Sequence, residues 1–338
     1  MSNLTIVMYH YVRYSKHHRY PEIKGLEINL FKEQLQYILQ YYNVIGMEDL
    51  FESLKSGRKL PKNSLLLTFD DAYKDHFEFV FPVLDELGIS GSFFPPGKAI
   101  QEHKVLDVNK IHFVFASADN KSRIIKDVYS LMDTYRIEYN LNKNEDYFSQ
   151  LAIASRFDTA EIVFIKTMLQ KILPEKLRKI ILDELFFKYV SKDEGVFSRE
   201  LYMNVDQLRC MLRHGMYIGS HGWDHYWLNT LPEDQQEREI KLSLKFLESV
   251  GSSVSEWAMC YPYGAYDDSL ISLLKSYSCK LALSTEVGIV NLTTDNPFTY
   301  KRLDTNDLPT DRNAEPNEWT SQVIEKQQTR VAKTSLAF

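Results

Sequence analysis

A chain of 338 residues, 44% hydrophobic and 25% charged, has the composition of a globular protein with room for a full core. Its formal net charge of −6, with no basic stripe interleaved with aromatics, argues against a nucleic-acid partner. Three cysteines, Cys210, Cys260 and Cys279, are odd in number and lack metal-type pairing, which suits a reducing compartment. The N-terminus has no basic leader, and its apolar stretch is too short for a signal or an anchor, so no transmembrane segment and a cytoplasmic location are expected.

In chain order, Leu4 to Tyr9 reads as a first strand, apolar and β-branched, stopping at His10, and the segment to Ile28 reads as a long loop. Asn29 is a candidate N-cap for a helix with Phe31, Leu35, Ile38, Leu39 and Tyr42 on one face. Met47 to Ser56 is a second helix closed by Gly57. Leu65-Leu66-Leu67-Thr68-Phe69 then ends abruptly in Asp70-Asp71, a buried strand delivering two carboxylates to the rim of a sheet. Two adjacent ionised carboxylates repel, and a divalent metal on one of them, with the other free as a base, resolves the repulsion. A helix carrying Phe77, Val80, Phe81, Leu84 and Leu87 ends at Gly88, and Gly91 to Phe94 is the next strand. Strand, helix, strand with short connections predicts a parallel sheet.

From about Lys98 to Glu200 the spacing turns helical, for example Ile124, Val128, Leu131 and Tyr135, with Gly195 the single glycine. The expected division is a barrel from 1–100 and 200–308, a helical insert at 101–199, either a lid or substrate-recognition cap or a packing addition that protects a sheet edge, and a polar tail at 309–338 that is weakly packed or wrapped over the surface. The strand and helix pattern resumes with a helix at Val205 to Arg213, a strand at Met216 to Gly219, a helix at Glu233 to Val250, a strand at Trp257 to Cys260, a helix containing Leu270 to Tyr277, and a strand at Leu281 to Ser284. Polar residues at the strand ends predict a distorted parallel (β/α) barrel whose C-terminal ends share one mouth. His221 and His225 stand four apart directly after a strand; on a helical turn both imidazoles point one way, which with an Asp gives a two-His, one-carboxylate site.

Thr68-Phe69-Asp70-Asp71, Gly219-Ser220-His221-Gly222-Trp223-Asp224-His225 and Tyr261-Pro262-Tyr263-Gly264 resemble, in order, three motifs of the polysaccharide deacetylase family (NodB homology, carbohydrate esterase family 4). The likeness covers about residues 4–100 and 200–304. It implies that Asp71, His221 and His225 bind one divalent metal, usually zinc, and that Asp70 is the general base for the attacking water. The backbone N–H of Tyr263 would complete an oxyanion site. Two positions depart from the family: Cys260 stands where an arginine usually tunes the catalytic aspartate, and Ala72 replaces a common glycine. The family's late acid histidine is also absent, since no His follows His225. Met8-Tyr9-His10-Tyr11 resembles the N-terminal Tyr-His motif of one branch, which implies His10 as the general acid, with His76 read as structural. Arg302, at a late strand end, is a candidate to assist Asp70. The implied substrate is an N-acetylated amino sugar, nucleotide- or lipid-linked, an intermediate of a surface polysaccharide of the O-antigen or capsule type. The alternatives are a non-catalytic sugar-binding or assembly protein on the same fold, or a deacylase acting on a formyl or ester group.

Overall fold

The computed structural model describes residues 3–15, 18–154 and 159–324. The chain forms two compact units, one from residues 3–14, 25–102 and 199–324, the other from residues 18–24, 103–154 and 159–198 together with Ser15.

The first unit is built on the strand Ser64–Asp70, buried along its whole length because it pairs in parallel with Asn3–Tyr9 on one side and Ser92–Phe94 on the other. Such two-sided burial is what a run of three leucines ending in charge requires. Ser92–Phe94 pairs with Tyr217–Ile218, and the ring continues through a Ser220–Met259 bridge to Trp257–Cys260 and on to Cys279–Leu283. A Leu283–Tyr300 bridge then leads to Leu303–Asp304, which pairs in parallel with Val7 and Met8 and closes the circuit. The result is a distorted parallel barrel; Val290–Asn291 departs from the parallel expectation by running antiparallel at its lower edge.

Side-chain alternation separates interior from exterior. Leu4, Ile6, Leu66, Phe94, Ala258, Cys260, Leu281 and Leu283 pack together as the interior cluster, while Tyr9, Phe69 and Phe93 stack on the other parity with ring centroids 5.0 and 4.7 Å apart. Counting two by two from Leu66 carries Thr68 and Asp70 onto the interior side at the top of the barrel, and counting from Ile6 does the same for His10. Period-two geometry thus aims the base and the acid candidates at one mouth.

Around the ring, helices at Ile28–Tyr41, Met47–Ser56, Val205–Arg213, Glu233–Val250 and Asp268–Ser276 follow the expected spacing. Asn29 is not the cap of the first of these; the helix begins at Ile28 with Glu27 at the cap position, because Leu26–Glu27 forms a short strand with Val12–Arg13 inside the stretch expected to be a loop. The polar segment after residue 308 packs more firmly than expected as far as it is described. Thr320 is fully buried, its hydroxyl accepting from Tyr37 Oη at 2.9 Å and Tyr42 Oη at 3.0 Å. Residues 325–338 of the expected tail lie outside the described residues.

The second unit is helical, with helices at Asp107–Ser117, Lys121–Tyr135, Asn144–Leu151, Ala160–Thr167 and Glu175–Tyr189. Ile111, Ile124, Val128, Phe164, Ile165, Leu177, Ile181 and Leu185 form its core. Tyr20, distant in sequence, joins it edge-on to Phe113 and Phe197.

Candidate active site

Asp71 directly follows the central strand and adopts a left-handed backbone (φ 68°), as does Ala72 after it (φ 56°). That conformation costs an L residue roughly 1–2 kcal/mol, which is the physical consequence of alanine standing in place of glycine. The turn is secured regardless: Ala72 is buried, and its carbonyl accepts the Met203 N–H at 2.9 Å. Tyr73 Oη donates to Asp71 Oδ2 at 2.7 Å, fixing the carboxylate and leaving Oδ1 for other company.

Asp71 Oδ1 lies 3.5 Å from His221 Nε2 and 3.4 Å from His225 Nε2, and these three buried atoms converge. Oδ1 has no hydrogen-bond partner, nor has His225 Nδ1. Two donors each about 2.0–2.1 Å from one zinc ion at the tetrahedral angle lie roughly 3.3–3.4 Å apart, so the spacing fits a shared divalent ion better than it fits hydrogen bonds. His221 Nδ1–H donates to the Cys260 carbonyl at 2.7 Å, which directs its Nε2 lone pair at the same point. The charges agree. Burial opposes the imidazolium of His221, yet Cys260, Asp71 and Asp70 outweigh that cost and raise its pKa well above the ordinary value, so without an ion the pocket favours a proton on His221, which a divalent ion bound there would displace. Burial lowers His225 to about 4, leaving it neutral as ligation requires.

The histidine pair does not sit on a helical turn, as its spacing suggested. Residues 221–225 form a loop in which Gly222 (φ 74°) and His225 (φ 55°) are both left-handed, and this reversal brings the rings to 4.8 Å. The loop leaves the barrel at Gly219, where a Cβ would meet Phe94 at 2.6 Å and the Ala258 carbonyl at 2.9 Å.

Asp70, 1% exposed, has different neighbours. Arg302 Nη1 lies 2.9 Å from its Oδ2 and 3.1 Å from its Oδ1, and Arg302 Nε donates to the Ser284 carbonyl at 2.8 Å. Cys260 Sγ is 3.3 Å from both carboxylate oxygens. Burial alone raises the Asp70 pKa, but Arg302 first, then His221 and His10, outweigh it and hold the carboxyl below its ordinary value. Burial keeps the Cys260 thiol protonated, so it serves as a weak donor. A guanidinium is therefore present beside the aspartate although position 260 lacks it, and it distinguishes the neighbours: Asp70 faces a fixed cation, Asp71 an open point between imidazoles.

His10 Nε2 is 4.0 Å from Asp70 Oδ2, and its side chain is 42% exposed. His76 is fully buried, lowered to about 4 by burial, and its Nε2–H donates to the His10 carbonyl at 2.6 Å, a structural tether. Tyr263 is left-handed (φ 57°) at the turn after Trp257–Cys260; its ring packs edge-on to His225 at 4.7 Å and stacks on Trp227 at 4.5 Å.

Sequence reasoning missed Tyr73, two residues beyond Asp71, and Glu239, whose Oε2 accepts the N–H groups of Trp223 and Asp224 at 3.0 and 2.9 Å. Glu239 had a signal: Gln236, Glu239 and Ser243 place polar groups at i, i+3 and i+7 on the buried stripe of a helix.

The family profile described as polysaccharide deacetylase matches residues 57–151 and 191–282, more than half of the chain. The chain belongs to the polysaccharide deacetylase family. The matched stretches contain Asp70, Asp71, His221, His225 and Tyr263. The Bacillus subtilis protein YxkH, named for polysaccharide deacetylases, is 28% identical over 87 residues, 26% of this chain and 31% of that protein, so the likeness spans under a third of its length. Among solved structures, the chain resembles the Streptococcus pyogenes deacetylase PplD in complex with acetate, with a TM-score of 0.54 at 15% identity, covering 96% of this chain and 97% of that one. It likewise resembles IcaB from Ammonifex degensii, with a TM-score of 0.55 at 18% identity, covering 91% and 94%. At those identities the likeness establishes the polysaccharide deacetylase fold. Among the described residues no helix is long and apolar enough to cross a membrane.

Proposed function

We propose that this polysaccharide deacetylase family member hydrolyses the N-acetyl group of an amino sugar, of the kind found in precursors of surface polysaccharides, with the help of one divalent ion. The observation that carries the reading is the convergence of Asp71 Oδ1, His221 Nε2 and His225 Nε2 on one point, beside an aspartate already neutralised by an arginine.

Asp71, His221 and His225 would hold the ion, and a nitrogen-rich set with one carboxylate suits zinc. Bound there, a divalent ion supplies Lewis acidity that polarises the acyl carbonyl and lowers the pKa of water. Asp70 accepts the proton of the attacking water, and Arg302 and the Cys260 thiol keep the carboxylate ionised and oriented for that task. The Tyr263 backbone N–H donates to the oxygen on which negative charge develops. His10, partly exposed and with its Nε2 4.0 Å from Asp70 Oδ2, gives its proton to the departing amine as the C–N bond breaks, leaving a free amino sugar and acetate. This reading gives His10 the role that the resemblance to the Tyr-His motif implies.

The test is acetate release from N-acetylated amino-sugar oligomers by the zinc-loaded protein, with Asp70→Asn as control. Release by the wild type that falls about 10²- to 10⁴-fold in Asp70→Asn supports the reading. No release from acetamido sugars, with turnover of formylated or ester substrates instead, would move the acyl specificity. No turnover of any of them would leave a sugar-binding protein.

A further inference from the structure

Glu239 is a carboxylate with 6% exposure in the middle of the helix Glu233–Val250. A single one of its oxygens, Oε2, accepts two consecutive backbone N–H groups, those of Trp223 and Asp224. These residues lie between His221 and His225. The same helix face grips the segment at two more places, with Ser243 Oγ 2.6 Å from Ser220 Oγ and Gln236 Nε2 donating to the Leu228 carbonyl at 3.0 Å. On the other side of the loop, the N–H groups of Gly97 and Lys98 donate to the carbonyls of Gly222 and Trp223 at 3.3 and 3.0 Å, and Lys98 pairs with Asp224.

The loop needs this hold. His225 is a non-glycine residue in the left-handed region, and with Gly222 it makes two reversals within five residues. Such a conformation persists only where its surroundings over-determine it. The groups that settle it are backbone hydrogen bonds, and the carboxylate that accepts two of them is buried at a cost visible in its pKa, raised to about 7 by burial.

Resting on the assignment of His221 and His225 as metal ligands, we propose that Glu239 is the positioning residue of the metal site: through the paired hydrogen bonds to Trp223 and Asp224 it holds the histidine loop in its ligating conformation. What matters on this account is the reach of one acceptor oxygen, not the negative charge. Glutamine keeps the oxygen at the same reach without the charge, whereas aspartate keeps the charge and withdraws it by one methylene, about 1.5 Å.

The experiment titrates the metal-stripped full chain with Zn²⁺ in competition with a chromogenic chelator, for wild type, Glu239→Gln and Glu239→Asp, with the melting temperature of each metal-free protein recorded alongside. Glu239→Asp is expected to bind Zn²⁺ about 10- to 100-fold more weakly, the usual effect of losing a group that orients a ligand, while Glu239→Gln stays near wild type. Wild-type affinity in Glu239→Asp would overturn the proposal, as would equal weakness in both variants or the reverse order, which would assign the effect to charge or general stability. A wild-type protein that binds no Zn²⁺ would instead remove the metal-site reading beneath it.

Discussion

The barrel mouth and the helical unit both bury charge, and they treat it in opposite ways. In the helical unit the ammonium of Lys110, whose side chain is 3% exposed, pairs with Asp183 and lies 2.9 Å from Glu194, which in turn takes Lys104 at 3.0 Å. That charge is matched within the unit, as a packing element requires. At the mouth, Asp71 Oδ1, His225 Nδ1 and Arg302 Nη2 are buried without hydrogen-bond partners, and Asp71, Ala72, His225 and Tyr263 all hold left-handed backbones. Unsatisfied polar atoms and local strain in one place mark a site shaped for something other than its own side chains, whereas a satisfied cluster marks stability.

Removing a ligand from the mouth should break this contrast most severely. His225→Ala is expected to contain no stoichiometric metal by elemental analysis and to lose acetate release, while its unfolding midpoint falls little; full metal content would sink the ligand assignment. Next in size is His10→Ala, with kcat lowered about 10²- to 10⁴-fold and metal retained. The variant should suffer less on an ester, whose leaving alkoxide needs less protonation than an amine, and near-normal amide turnover would place the acid elsewhere. In the helical unit the sign reverses. Lys110→Met should cost stability, about 1–3 kcal/mol by urea unfolding, because Glu194 loses a buried partner while half-exposed Asp183 regains water. Metal content and turnover should not move; a loss of turnover at unchanged metal would show that the helical unit takes part in the chemistry. The smallest effect is Ala72→Gly, expected to stabilise the protein by about 1 kcal/mol through relief of the left-handed turn, with metal content unchanged. Destabilisation would mean that the turn is not strained.

Much of this contrast was legible in the sequence because it rests on local rules. A leucine run ending in two aspartates located the central strand and its rim, and the end of the first apolar run put His10 at a strand end, but that Asp70 and His10 share the interior parity of Leu66 and Ile6 emerged only with the structure. Helices such as Val205–Arg213 and Glu233–Val250 followed from spacing alone. The histidine pair was found for a reason that the structure replaces: spacing of four suggested a helical turn, but two left-handed residues perform the convergence, and backbone handedness at His225 leaves no trace in side-chain periodicity. The first helix cap failed similarly, since pairing of Leu26–Glu27 with Val12–Arg13 overrode the local preference of Asn29. Arg302 could be suspected from its strand-end position, yet its contact with Asp70, 232 residues earlier, depends on the Leu283–Tyr300 bridge and the final strand that close the ring.

The central claim is that the mouth performs acyl hydrolysis by means of a divalent ion held by Asp71, His221 and His225. The most direct measurement is acetate release from an N-acetylated amino-sugar oligomer by one preparation before chelation, after chelation, and after add-back of one equivalent of Zn²⁺. The account predicts that release stops on stripping and returns with the added ion. Undiminished release from the fully stripped protein, with metal content confirmed by elemental analysis, would contradict it.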